Sequence, residues 1–198
     1  MTDWRIENEC FAEGFASICG VDEAGRGPLA GAVYAAAVIL PPGFEIKGLD
    51  DSKKLSEKKR EEFYGVIVEK AVSYGVASAS EREIDELNIL YATYLAMNRA
   101  IEKLSKAPEL SLIDGNRSAG IRFPNRCIVG GDGKSVSIAA ASILAKVTRD
   151  RYMKSLSEEY PEYLFDRHKG YGTKLHYDML RKYGPCPVHR LSFLKKMH

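Results

Sequence analysis

Ile18-Cys19-Gly20-Val21-Asp22-Glu23-Ala24-Gly25-Arg26-Gly27-Pro28-Leu29-Ala30-Gly31 is the stretch around which the chain is organised. A short apolar run enters it, two adjacent carboxylates follow, and a glycine–arginine–glycine turn closes it. In a regular strand, successive side chains point to opposite faces. Asp22 and Glu23 therefore share one site only if the backbone turns there, and Gly25 and Gly27 permit a turn. A carboxylate pair without a nearby lysine suits a divalent cation, because hard cations take oxygen ligands. Two solvated acids at a strand end are the plainer alternative.

Gly25-x-Gly27-x-x-x-Gly31 has some likeness to a dinucleotide fingerprint, which needs a helix after the glycines. Here Pro28 is followed by an apolar run to Leu40 and then Pro41-Pro42-Gly43. Bounded by turn residues and without polar positions at helical spacing, that run reads as a buried strand.

Working outward, strands are expected over 16–21, 30–40, 71–79, 110–113 and 127–129, the first two antiparallel because their connection is short. Helices are expected over 57–69, capped by Ser56, from Ser80 onward, and over 88–106, 137–153 and 174–183, the last capped by Thr173. A short helix over 191–196 closes the chain. Phe63 and Ile67, and then Leu90, Tyr94, Met97 and Ile101, mark the buried helix faces. Strand–helix alternation after the first two strands gives an α/β domain with a mixed sheet. One domain spanning 1–198 is expected, its C-terminal part from about residue 155 helical.

The stretch from Met1 to Gly14 does not read as a signal peptide, with Asp3, Glu7, Glu9 and Glu13 in it, and no apolar run is long enough to span a membrane. The four cysteines are scattered without a Cys-x-x-Cys pair, so zinc and redox motifs are missing and reduced, cytoplasmic thiols are expected. The net charge of +2 hides an asymmetry: residues 1–120 carry 14 Lys and Arg against 20 Asp and Glu, whereas residues 121–198 carry 15 against 7. A basic C-terminal third suits a polyanion.

Asp114 and Asp132 end or follow two further strands, each beside a glycine. Four carboxylates at strand ends can hold two Mg²⁺ or Mn²⁺ ions, a pair that activates water against a phosphodiester without any His, Cys or Ser nucleophile. A competing reading is Ile128-Val129-Gly130-Gly131-Asp132-Gly133-Lys134-Ser135, one glycine short of a phosphate-binding loop and flanked by strand and helix. A nucleotide triphosphatase thus stays as an alternative, as does a hybrid-binding module without catalysis.

Seven motifs in register resemble bacterial ribonuclease HII, the type 2 ribonuclease H. They are the opening stretch from Gly20 to Gly31, Asp51-Ser52-Lys53-Lys54-Leu55, Ile113-Asp114-Gly115-Asn116, Gly131-Asp132-x-Lys134-Ser135, Ala140-Ala141-Ser142-Ile143-Leu144-Ala145-Lys146-Val147-x-Arg149-Asp150, His168-Lys169-Gly170-Tyr171-Gly172-Thr173, and Gly184-Pro185-x-Pro187-x-His189-Arg190-x-Ser192-Phe193. The resemblance implies the ribonuclease H-like fold, a five-stranded mixed sheet flanked by helices. It also implies endonucleolytic cleavage of RNA in RNA–DNA hybrids and at a lone ribonucleotide in duplex DNA, leaving 5′-phosphate and 3′-hydroxyl ends. By the same resemblance the metal-binding and catalytic acids are Asp22, Glu23, Asp114 and Asp132. Gly25, Arg26 and Gly27 read the ribose 2′-hydroxyl through their backbone, and Tyr171 packs on the nucleotide at the RNA–DNA junction. The family implies a monomer. Gly133 stands where the family pattern suggests alanine, and Leu191 where it suggests a basic residue.

The chemistry of the residues is consistent with this. The 2′-hydroxyl distinguishes RNA from DNA at a given site. Lys53, Lys54, Lys134, Lys146, Lys169 and Lys174 are expected at phosphates, and Ser135 beside Lys134 at the substrate; phosphate contacts fix register without reading sequence. Affinity for a hybrid should then fall steeply with salt, the logarithm dropping by roughly 0.9 per neutralised phosphate for each decade of salt. A salt titration of binding checks this, and a flat response would return the basic third to ordinary solvated surface.

Overall fold

The computed structural model describes residues 2–45, 48–49 and 55–195. Helix α1 (Arg5–Ala12) leads to strand β1 (Ile18–Ala24), and β2 (Val33–Ile39) returns beside it. Then come α2 (Glu57–Lys70), β3 (Ser73–Ala79), α3 (Glu81–Leu87), α4 (Ile89–Glu102), β4 (Leu110–Asp114), β5 (Asn125–Ile128) and α5 (Val136–Glu159). The chain closes with α6 (Phe165–His168), α7 (Lys174–Tyr183) and α8 (Leu191–Leu194). The sheet has five strands in the order β3-β2-β1-β4-β5. The β1–β2 and β2–β3 pairs are antiparallel, and β1–β4 and β4–β5 are parallel. This is the expected mixed sheet, with β1 at its centre.

The pleat of β1 sorts its side chains between two cores. Cys19 and Val21 face α4, joining Ala35, Ala37, Ile113, Met97 and Ile101. Ile18 faces the other way, toward Leu110, Leu112 and Ile138. On that same side Ala36 and Val38 of β2, with Leu40 just past its end, meet Phe63 and Ile67 of α2 and the Ala139–Leu144 flank of α5. The alanines of β2 have a packing reason, because helices lie close on both of its faces.

Local chemistry sets the helix starts. Ser56 caps α2 by accepting from the Lys59 N–H, and Ser80 and Glu83 form a reciprocal capping box on α3. Asn88 caps α4, accepting from the N–H groups of Leu90 and Tyr91. Ser135 and Thr173 cap α5 and α7.

Several expected boundaries move. Strand β1 does not stop at residue 21: pairing with β2 carries it through both acids, with Asp22 opposite Ala36 and Glu23 opposite Ala35. Helix α4 ends at Glu102 rather than running to residue 106, because Leu104 turns into the core and Ser105 bonds the Ser73 hydroxyl. Helix α5 continues to Glu159, six residues past the expected 153, since Met153 and Leu156 pack on the C-terminal helices. Strands β4 and β5 are joined by irregular chain over 115–124 with no helix between them, so the alternation breaks there. The expected helix over 191–196 is α8; Lys196 lies outside the described residues, as do Lys53 and Lys54.

Helix α5 lies on β1 at Gly20. A Cβ there would run into the Ser137 carbonyl and the Ile138 nitrogen, both main-chain atoms. Gly20→Ala should therefore force α5 off the sheet, costing about 1–3 kcal/mol as overpacking does. For a chain of this length that is on the order of 2–12 °C in Tm, measurable by thermal denaturation. An unchanged Tm would show that α5 can shift without cost.

Candidate active site

The pleat that sorts the core also sorts the acids. Residues 18, 20 and 22 of β1 share a face, as do 110, 112 and 114 of β4. The parallel register sets Ile18 opposite Leu110 and Gly20 opposite Leu112. Extended by one step, it brings Asp22 beside Asp114 on the α5 side. Asp132, in the short 3₁₀ turn Gly131–Gly133 after β5, completes the group. Carboxylate oxygens of Asp22, Asp114 and Asp132 lie within 4.8 Å of one another. Glu23 leaves the strand on the opposite face and forms an ion pair with Arg26 at 3.2 Å. The backbone makes no turn between the two acids, so the structure gathers three of the four expected carboxylates and holds Glu23 at the edge of the group.

A cavity of about 280 Å³ opens over this cluster, lined by Asp22, Glu23, Gly25, Arg26, Gly27, Asp114, Ser142, Lys146, Arg149 and Tyr171. A second, of about 310 Å³, shares Glu23, Arg26 and Asp114 and extends toward Tyr94, Asn116 and Arg117. Glu23 thus stands on the wall between them.

The electrostatics are those of carboxylates set close enough to repel one another. Burial pushes the Asp22 carboxyl well above its ordinary value, and the charges of Glu23 and Asp114 push it further. The Glu23 N–H and the Ser142 hydroxyl act against this rise by hydrogen bonding to it. A carboxyl whose folded pKa is raised is costly once ionised, so ionised Asp22 works against folding. Oxygen-only donors, close together and mutually repelling, fit hard divalent cations such as Mg²⁺ or Mn²⁺.

The other expected residues separate into those at the cavity and those away from it. Gly25, Arg26, Gly27, Lys146 and Tyr171 line it. Lys146 also pairs with Asp150 at 2.6 Å. The half-exposed Tyr171 ring lies near Gly27, whose missing Cβ would sit 3.6 Å from Cε1. Lys134 and Lys169 are not on the wall; their ammonium groups donate to the carbonyls of Val129 and Asp166. Ser135, expected at the substrate, is corrected to an internal role. It is fully buried, caps α5 and bonds the Glu7 carboxylate, because the 3₁₀ turn rolls it inward.

The same facts remove the phosphate-loop reading. The Gly131 N–H donates to Asp114 at 2.6 Å, and Lys134 and Ser135 are used internally. Nothing lies within 4 Å of a Cβ placed on Gly133, so the alanine of the family pattern would fit there.

Sequence reasoning missed Ser142, Arg149 and Arg190 as site residues. Ser142, Lys146 and Arg149 recur at helical spacing on one flank of α5, a polar row in a helix otherwise rich in Ala, Ile and Leu. That row was the available signal. For Arg190 the signal was its place in the seventh motif, which gave no hint of its contact with the 25–31 segment.

A five-stranded mixed sheet with flanking helices and clustered acids on its central strands defines a metal-dependent nuclease of the ribonuclease H-like fold. Solved structures agree. Ribonuclease H2 from Pyrococcus horikoshii OT3 superposes with a TM-score of 0.73 at 27% identity, covering 89% of this chain and 93% of that one. Bst-RNase HIII in complex with Mn²⁺ superposes at 0.67 and 23% identity, over 85% and 63%. The family model described as Ribonuclease HII matches residues 19–196. A ribonuclease HII from Caldicellulosiruptor bescii is 53% identical over 98% of this chain and 94% of its own length. The chain belongs to the ribonuclease HII family, enzymes that cleave RNA in RNA–DNA hybrids.

Asp114→Asn removes one charge while its amide oxygen can still accept from Gly131. Cleavage should fall by at least about a hundredfold, the scale on which even outer-shell partners of metal sites act. Hybrid binding should persist, and Tm without added metal should not drop, since repulsion is relieved. Cleavage assays in Mg²⁺ beside thermal melts check this; near wild-type cutting would overturn the site.

Proposed function

We propose that this protein is an endonuclease that cuts the RNA strand of RNA–DNA hybrids and also incises at single ribonucleotides embedded in duplex DNA, leaving 5′-phosphate and 3′-hydroxyl ends. The observation that carries the reading is the shared cavity: Asp22, Glu23 and Asp114, the Gly25-Arg26-Gly27 turn and the Tyr171 ring all line it. A site that must cut next to a ribose needs a cutting centre, a reader of the 2′-hydroxyl and a surface for the adjoining nucleotide within one nucleotide's reach.

Asp22, Asp114 and Asp132 would hold the cations, with Glu23 joining once it is released from Arg26. When bound, two Mg²⁺ or Mn²⁺ ions supply an activated water and charge stabilisation for the leaving oxygen. Mn²⁺ accompanies Bst-RNase HIII, which shares the fold. The protein's own groups do the positioning. Ser142 orients the Asp22 carboxylate by hydrogen bonding. Lys146 and the Arg26 guanidinium present positive charge at the cavity, where phosphates of the cut strand would lie. The backbone of the turn can come close to a ribose because Gly25 and Gly27 carry no side chain.

The backbone of Tyr171 is pinned, its N–H donating to the His168 carbonyl and its own carbonyl accepting from Thr173. The ring is left for the cavity. That division suits a surface on which a sugar or base stacks.

All 198 residues form one catalytic domain in this reading, a monomer working in the cytoplasm. Its cysteines are free, as a reducing compartment requires. Among the described residues no helix is long and apolar enough to cross a membrane.

A cleavage assay on a duplex holding one ribonucleotide, with and without EDTA, tests the function: cutting only in the absence of chelator is expected, and binding without cutting would point to a non-catalytic module. Tyr171→Ala should lose far more rate on that substrate than on a long hybrid, which offers 2′-hydroxyls in many registers. Ring stacking is worth about 1–3 kcal/mol per base. Tyr171→Phe should keep most activity. Equal losses on both substrates, or a lowered Tm for Tyr171→Ala, would make the ring structural.

A further inference from the structure

Arg190 is fully buried, and its guanidinium uses all five of its N–H groups on one segment of chain. Nη2 donates to the Gly25 and Gly31 carbonyls at 2.6 Å each, and Nη1 to those of Arg26 and Pro28 at 2.9 and 2.8 Å. Nε donates to Gly31 at 2.8 Å. The backbone beside it joins the same grip. The Arg190 N–H donates to the Leu29 carbonyl, and the Gly31 N–H to that of Val188. No carboxylate forms a salt bridge with Arg190 among the described residues. Burial and the like charge of Arg149 lower its pKa to about 9, which leaves it charged at neutral pH.

A buried cation held by carbonyls and by the face of the Phe193 ring, 5.3 Å away, is an expensive way to stabilise a fold, since well-packed apolar side chains do as well or better. What it does supply is direction. In a planar trans peptide, the C=O of one residue and the N–H of the next point opposite ways. Drawing the Gly25 and Arg26 carbonyls toward Arg190 therefore turns the N–H groups of Arg26 and Gly27 away from it. The Pro28 peptide shows the same rule at work. Its carbonyl is held by Arg190, and the following Leu29 N–H reaches the opposite way to the Gly170 carbonyl at 2.8 Å. The cavity wall includes Gly25, Arg26 and Gly27 but not Arg190. No backbone carbonyl accepts from the Arg26 or Gly27 N–H among the described residues.

Arg149 braces the same turn from the other side. It donates to the carbonyls of Ala30, Ala32 and Lys169, and a Cβ on Gly25 would collide with its guanidinium. With φ of +97°, Gly25 also adopts a backbone conformation that side chains disfavour.

We propose that Arg190 is a positioning residue for ribose recognition: by gripping four carbonyls of the 25–31 segment it presents the Arg26 and Gly27 N–H groups as two fixed donors to the 2′-hydroxyl oxygen and the neighbouring phosphate. This rests on the reading of Gly25-Arg26-Gly27 as the turn that meets the ribose. Lysine cannot replace it, because an ammonium group lacks the planar five-donor fork that spans four carbonyls.

The test compares binding, in EDTA so that nothing is cut, to a duplex with one embedded ribonucleotide and to the same duplex in all-DNA form. Wild type should prefer the ribonucleotide duplex several-fold. Arg190→Lys should reduce that preference to less than twofold while all-DNA affinity stays within twofold of wild type. A folded Arg190→Lys that keeps the preference, or that weakens both duplexes equally, overturns the positioning role and leaves the turn's reading standing. A wild-type protein with no preference overturns the reading of the turn and this proposal with it. Should Arg190→Lys fail to fold, ¹⁵N NMR of wild type decides. The Arg26 and Gly27 amides should shift with the ribonucleotide duplex and not with the all-DNA duplex; unmoved amides overturn the proposal.

Discussion

Helix α5 rests on strand β1 at Gly20, main chain against main chain, and the site depends on that approach. With no side chain between them, the helix runs close enough for Ser142 to hydrogen-bond Asp22 and for Lys146 and Arg149 to reach the cavity wall. The same helix continues to Glu159, where Met153 and Leu156 seat the C-terminal helices against Leu29 and Ala30. One long helix thus connects the acids, the glycine turn and the Tyr171 segment, and a rigid element is what a site with close geometric tolerances requires.

Two unbalanced charge groups sit on either side of the turn, and the fold treats them differently. Asp22, Asp114 and Asp132 are set close together, and the charges of Glu23 and Asp114 add to the rise in the Asp22 pKa, a repulsion that a bound cation would relieve. Arg149 and Arg190 are buried among carbonyls, where dipoles offset the loss of water. The first arrangement serves a group that must be bound. The second holds a backbone conformation that no local propensity would choose. Three buried histidines finish the support behind Tyr171: His168 stacks on His176 at 4.3 Å, and His176 bonds His189 at 3.0 Å. Burial lowers the pKa of each, to about 4 for His176 and His189, so they are neutral at physiological pH.

Much of this was legible in the chain. Ser56, Ser80 and Thr173 announce helix starts because a cap is a bond between neighbours in sequence. Apolar runs bounded by turn residues placed the strands, and glycines beside Asp114 and Asp132 pointed to strand-end acids. Boundaries were less legible, since pairing with β2 rather than any local signal keeps β1 extended through Asp22 and Glu23. Ser135 next to Lys134 read as a substrate contact, yet a short 3₁₀ turn rolled it into the core, a rotation no residue type announces.

What the sequence by itself determined was the inventory: which acids, which glycines, which tyrosine, and the order of strands and helices that carry them, because periodicity and capping act over a few residues. Only the tertiary structure decided how that inventory is shared out. The pleat of β1 and its parallel register with β4 put Asp22 and Asp114 together and sent Glu23 to the other face. The return of the C-terminal segment laid Arg190 across a turn 160 or so positions earlier, with bonds spanning 159 to 165 residues. Contacts at such separations leave no mark in local pattern, since they depend on where two distant pieces of backbone meet once the sheet and its helices have closed.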